Sequence, residues 1–129
     1  MMAKVKIHEF DPLIYPRKLW VCVDATIESL LESFDIKDAT LADALKNNAA
    51  TTCITEKKSD GHKGVIIFTN KRKYMTTKVI AHESVHFADA VFQELCAYTQ
   101  EFNHGNEPYA YLVGWAAGCI DEVVKFKSK

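Results

Sequence analysis

The sequence predicts an α+β domain in which a small sheet packs against two long helices. Strand-forming residues concentrate in short segments of the first half, at residues 5–10, 18–24, 51–55 and 64–69. Long stretches with apolar residues at helical spacing occupy the second half, at residues 75–100 and 107–126. Because the strands precede the long helices instead of alternating with them, we expect an antiparallel or mixed sheet.

The shorter elements follow from local patterns. Residues 26–34 place apolar side chains on one helical face, and residues 40–47 predict a second short helix. Residues 57–63 contain Ser59, Asp60 and Gly61, which favour the turn of a β-hairpin. Residues 102–106 are expected to form the loop between the two long helices.

Length and composition indicate one globular domain over residues 1–129. Hydrophobic residues make up 48% of the chain and charged residues 26%, which is ordinary for a globular protein. The net charge is −1 with acids and bases mixed, so we expect neither nucleic acid nor a membrane as a partner. Nothing in the composition indicates an oligomeric state.

The cysteines indicate the redox compartment. Cys22, Cys53, Cys96 and Cys119 are far apart, have apolar neighbours and form no C-x-x-C pair. They are interpreted as buried thiols of a reducing compartment, which predicts a cytoplasmic protein. A disulfide pair is the alternative, and these spacings do not favour a cysteine metal site.

The sequence of residues 82–86 is H-E-S-V-H, an H-E-x-x-H motif within the predicted helix 75–100. Positions four apart share a helix face, so His82 and His86 can reach one metal ion. Glu83 lies beside them, where it can contact a water held by the metal. The alternative is that both histidines merely pack at a helix surface.

A catalytic zinc takes three protein ligands and keeps a fourth position for water. Glu107 follows His86 by twenty-one positions, which leaves room for a turn and a returning helix. Asn106 can cap that helix, and the helix dipole favours an ionised carboxylate in its first turn. Asp89 and His104 are alternative ligands, and the alternative for Glu107 is a surface glutamate in a first turn.

Two further patterns surround the motif. Ala110, Gly114, Ala117 and Gly118 recur at helical spacing, which predicts close approach of the last helix to the motif helix. The alternative is that the glycines accommodate a bulky neighbour such as Trp20 or Trp115. Residues 65–68 form either an edge strand, able to pair with an extended substrate, or a core strand.

The motif, the later glutamate and the stretch containing Glu107, Ala110 and Tyr111 resemble the gluzincin group of zinc metallopeptidases. The small size resembles minigluzincins and short phage- or prophage-encoded zincin-like proteins. The resemblance covers roughly residues 64–121 and implies a zincin-like fold. It also implies that His82, His86 and Glu107 bind Zn²⁺ and that Glu83 is the general base and acid.

The chain also departs from that group. No later histidine is clearly placed to stabilise the transition state, although Tyr109, Tyr111 or His104 could take that role. The chain ends about one helix after Glu107, where larger gluzincins carry a domain that forms the far wall of the cleft. A metzincin is excluded because Asp89 and Phe92 occupy the positions of its glycine and histidine.

The function expected from these residues is zinc-dependent hydrolysis by a small metallopeptidase acting on a peptide or protein. The alternative is a zinc-binding structural or interaction protein that keeps a zincin fold with little or no catalysis. A third possibility is a latent enzyme whose cleft is blocked by its own termini or by another chain.

Overall fold

The computed structural model describes residues 5–36 and 50–126. In chain order the elements are β1 (His8–Phe10), β2 (Lys18–Cys22), α1 (Ile27–Ser33), β3 (Thr51–Glu56), β4 (Lys63–Phe68), a short 3-10 helix (Arg72–Tyr74), α2 (Thr77–Glu94) and α3 (Glu107–Lys125). This order confirms the α+β class. The short helix predicted at residues 40–47 lies outside the described residues.

The four strands form one mixed sheet in the order β1-β2-β4-β3, in which β2 and β4 are parallel and the other pairs antiparallel. The predicted hairpin joins β3 to β4, and Gly61 supplies the left-handed residue of its turn with φ of 72°. Residues 65–68 belong to the interior strand β4 and are fully buried, so the edge-strand interpretation is wrong. Among the described strands, β3 is the outer one beside β4.

The sheet separates two layers of helix because its side chains alternate between faces. One face packs on α2 and α3, and its apolar residues include Leu19, Val21, Val65 and Ile67. The opposite face packs on α1, and its residues include Trp20, Cys22, Ile66 and Phe68. This arrangement agrees with the predicted packing of the sheet against the motif helix and the last helix.

Helix α2 is shorter than the predicted span of residues 75–100. The Thr76 side chain caps its start by accepting a hydrogen bond from the backbone N–H of Val79 at 3.4 Å. At its end, Cys96 adopts the left-handed conformation with φ of 55°, and the Ala97 N–H donates to the Phe92 carbonyl at 2.8 Å. This Schellman-type closure ends the helix although no glycine is present.

Helix α3 packs on the rest of the protein through Leu112, Ala116 and Ile120, which are buried. Gly114 and Gly118 lie on its exposed side, and a Cβ added at either would meet nothing within 4 Å. The predicted close approach through these glycines is therefore wrong. Asn106 occupies the N-cap position as predicted, but its side chain makes no capping hydrogen bond.

All four cysteines are free thiols. Cys22 and Cys119 are buried and Cys53 is partly buried, whereas Cys96 is exposed, so the prediction of a buried thiol is wrong for Cys96. It is exposed because it forms the left-handed turn after α2. Within residues 5–36 and 50–126, no helix has the length and apolarity needed to cross a bilayer.

Candidate metal centre

His82 and His86 lie one turn apart on the outward face of α2. Their Nε2 atoms are 3.1 Å apart, and their rings meet edge to face with centroids 4.7 Å apart. The opposite face of the helix, including Ser84, Phe87 and Val91, is buried. Burial of that face fixes the rotation of α2, and this rotation presents both imidazoles to solvent.

The spacing of the two imidazoles fits a shared cation. Zinc bonds histidine nitrogen at about 2.0–2.1 Å, so two nitrogens on a tetrahedral ion stand about 3.3 Å apart. The observed 3.1 Å between the Nε2 atoms is close to that separation. His82, Glu83 and His86 together offer three ligand atoms that all lie within 4.8 Å of one another. This group could hold a metal ion, and its donors suit zinc among other divalent metals.

Glu83 is the buried member of the group, with 5% of its surface exposed. Its Oε1 accepts a hydrogen bond from the Thr52 hydroxyl at 2.7 Å, and its Oε2 lies 3.8 Å from His82 Nε2. Thr52 stands opposite Ile67 in the β3–β4 register, on the sheet face that packs on α2. The sheet therefore anchors one oxygen of Glu83 and leaves the other beside the histidines.

Asp89 and Tyr109 connect α2 to α3 near the histidines. The Tyr109 hydroxyl donates to Asp89 Oδ1 at 2.7 Å, and the Tyr109 ring packs on Phe92 with centroids 5.4 Å apart. Burial, together with the hydrogen bond and negative charge of Asp89, raises the pKa of Tyr109 to about 12. Asp89 lies outside the group of three, where its contact with Tyr109 braces the two helices.

The structure does not bring Glu107 into the group of metal-competent side chains. Glu107 lines an apolar groove together with residues that include Ile14, Tyr15, Tyr111 and Trp115. Each residue of a helix is rotated by about 100° around the helix axis, so the side chains of Glu107 and Tyr109 leave α3 in directions about 200° apart. Because Tyr109 faces α2, the first-turn position of Glu107 faces away from it. Ligation by Glu107 stays a prediction.

His104, the other alternative ligand, also lies outside the group. It is exposed in the loop before α3, where its Nδ1 lies 3.2 Å from Glu101 Oε2. Within the described chain, the histidine pair and Glu83 are therefore the metal-competent set.

A cavity of about 400 Å³ opens between β3 and α2. Thr52, Ile54, Ala90 and Gln93 contribute to its walls. Thr52 links this cavity to the site, because its hydroxyl also holds Glu83. No sequence motif identifies Thr52. The signal that could have identified it is its position two residues before Ile54, which puts a polar side chain on the strand face that packs on α2.

Comparison with known proteins assigns no family, since no family model, curated protein or solved structure matches the chain.

Proposed function

We propose that this chain is a small zinc-dependent metallopeptidase in which His82 and His86 ligate the ion and Glu83 moves protons. The observation that carries the proposal is the 3.1 Å separation of the two Nε2 atoms beside a buried glutamate. The H-E-x-x-H order on one helix provides two histidine ligands and a glutamate base from five consecutive residues. The resemblance to gluzincins supports the same assignment.

When bound, zinc would lower the pKa of a coordinated water and polarise a scissile carbonyl. Glu83 would accept the proton of that water and deliver it to the leaving amine. Its Oε2 is the available oxygen, because Oε1 is held by Thr52. Thr52, which holds this carboxylate, also lines the cavity between β3 and α2, and this supports a substrate position along β3.

The proposal includes Glu107 as the third ligand, as the gluzincin resemblance implies. Glu107 lies in the first turn of α3, and a carboxylate oxygen is a donor that suits a divalent metal. The bound state would require the start of α3 to turn Glu107 from its apolar groove toward the histidines. The loop between α2 and α3 contains Gly105, with φ of 92°, which can accommodate a backbone change.

Replacement of Glu83 by glutamine tests the mechanism. Glu83→Gln removes the proton acceptor but leaves both histidines, so it should retain zinc and lose cleavage by about a hundredfold or more. The matched control is Glu94→Gln on the same helix, which removes an acid that pairs with Arg17 and not with the histidines. If Glu83→Gln cleaves a substrate as fast as the parent, this mechanism is wrong.

A second candidate function is metal binding without turnover. Two observations favour it: Glu107 lies outside the group, and the His82 side chain is 66% exposed. Digestion of a broad peptide library with zinc-loaded protein separates the two functions. Reproducible cleavage that disappears in Glu83→Gln supports the peptidase, whereas zinc binding without any cleavage supports the binding protein.

A further inference from the structure

Thr52 and Glu83 form a contact between sheet and helix at the candidate metal centre. They are thirty-one positions apart in sequence, and the Thr52 hydroxyl donates to Glu83 Oε1 at 2.7 Å. The acceptor is 5% exposed, so water can replace this donor only poorly. A hydrogen bond to a buried carboxylate is stronger and more directional than one at the surface.

The hydrogen bond gives the two oxygens of Glu83 different surroundings. Oε1 is turned toward β3, whereas Oε2 lies 3.8 Å from His82 Nε2. Rotation of the carboxylate to offer both oxygens to an ion at the histidines would break the bond to Thr52. Glu83 nevertheless lies close enough to both histidines to act as a ligand. Its environment must therefore decide between ligation and proton transfer.

We propose that Thr52 is a positioning residue that holds Glu83 in the proton-transfer role and out of the metal coordination sphere. This inference rests on the proposed function, because it concerns the base of that reaction. Loss of the hydroxyl frees the carboxylate to ligate, which strengthens metal binding while weakening catalysis. A residue that merely supported the fold would weaken both together.

Threonine on a strand suits this task. Its branched Cβ restricts χ1, so the hydroxyl keeps one direction. The backbone position is fixed by the register that places Thr52 opposite Ile67 in the interior strand β4. Thr52 also lines the cavity between β3 and α2, so the residue that holds Glu83 is part of the wall of that cavity.

The test compares Thr52→Val, which removes the hydroxyl at nearly constant shape, with Thr52→Ser, which keeps it. Zinc affinity is measured by competition with a chromophoric chelator, and coordination by the visible spectrum of the Co²⁺-loaded protein. We expect Thr52→Val to bind zinc about tenfold more tightly and to give a weaker cobalt spectrum, typical of a higher coordination number. Thr52→Ser should lie closer to the parent than Thr52→Val in both measurements, because it keeps the hydroxyl.

Thr55→Val is the matched control on the same strand. Thr55 is 7% exposed and its hydroxyl donates to the Asp35 carbonyl at 2.9 Å, but the residue belongs to the opposite face of the sheet. This variant should lower thermal stability without changing the cobalt spectrum. A second control is Thr52→Val in the Glu83→Gln background, where the effect on zinc affinity should disappear because an amide is a poor ligand.

Three results would overturn the inference. The first is a Thr52→Val protein with the zinc affinity and cobalt spectrum of the parent. The second is a Thr52→Val protein that loses zinc affinity together with stability, as a purely structural change would. The third is an effect of Thr52→Val on zinc affinity that is equally large in the Glu83→Gln background. None of these readouts requires turnover. Failure of the proposed peptidase activity would therefore appear separately, as absence of cleavage by the zinc-loaded parent.

Discussion

His82 Nε2 and His86 Nε2 face each other at 3.1 Å across one turn of α2. At that distance two neutral imidazoles form a hydrogen bond when one nitrogen carries a proton and the other accepts it. A divalent cation between them uses the lone pairs of both nitrogens instead. The separation of the two nitrogens therefore suits either a hydrogen bond or a shared cation.

Replacing either histidine by alanine should weaken zinc binding by more than about a hundredfold. A lost ligand costs more than the ten- to hundredfold typical of residues that only support a ligand. Thermal melts with and without zinc give the measurement, because a ligand of the native state raises its melting temperature. Zinc should stabilise the parent but neither His82→Ala nor His86→Ala.

His62→Ala is the matched control for these variants. His62 lies in the hairpin turn, where its Nδ1 is 3.3 Å from Asp60 Oδ2, and it is outside the metal-competent group. Its replacement should leave the zinc-dependent stabilisation unchanged. An equal loss in all three variants would mean that zinc binds by general surface coordination and not at the helix pair.

Local patterns predicted much of this fold because the signals are short in range. The hairpin at residues 57–63 follows from turn residues, and the motif helix follows from apolar spacing. The end of α2 was misjudged because Cys96, a residue without a strong left-handed preference, closes the helix. The pairing of β2 with β4 was not assigned because register across a sheet depends on contacts distant in sequence.

In the candidate site, too, local sequence predicts some features, whereas others depend on contacts between residues distant in sequence. The histidine pair is encoded within five residues, so periodicity alone places both imidazoles on one face. Thr52 was not found, because its contact with Glu83 depends on how β3 docks against α2. Gly114 and Gly118 were misinterpreted because small residues fit an exposed helix face as well as a close contact.

Gly64→Ala should destabilise the protein by about 1–3 kcal/mol, the usual cost of forcing atoms into a packed interior. A Cβ at Gly64 would collide with the Lys18 backbone and lie 2.8 Å from an aromatic carbon of Trp20. These atoms belong to the adjacent parallel strand β2, so the clash can be relieved only by opening the β2–β4 pair. Urea denaturation gives the free energy of unfolding.

Gly118→Ala is the matched control, because the same glycine-to-alanine change should here raise the free energy of unfolding. Gly118 is exposed on α3 and open space surrounds its missing Cβ, so alanine should stabilise the protein by about 0.5–1 kcal/mol through its helix propensity. Equal effects of the two substitutions on the free energy of unfolding would contradict the β2–β4 packing described above.

The four thiols should differ in reactivity toward a disulfide reagent in the native protein. Burial raises the pKa of Cys22 to about 12 and that of Cys119 to about 11, so almost no thiolate forms at pH 8, and both residues are buried. Cys96 is exposed and should react first. We expect Cys96→Ser to remove the fast phase of a labelling time course, whereas Cys22→Ser should leave it intact. A fast phase that survives in Cys96→Ser would show that another thiol is open to solvent.

Glu107→Gln should weaken zinc binding by about tenfold or more if this carboxylate completes the site on metal binding, since an amide replaces an anionic ligand. Glu101→Gln is the control, because it removes an exposed acid of the same loop region that pairs with His104. Trp115 fluorescence with and without zinc distinguishes these proteins best. Glu107 and Trp115 line one groove, so departure of the glutamate would change the surroundings of the indole. Zinc should alter this emission in the parent and in Glu101→Gln but not in Glu107→Gln. Identical zinc affinity and emission in all three proteins would exclude Glu107 as a ligand and leave His82 and His86 as the ligands among the described residues.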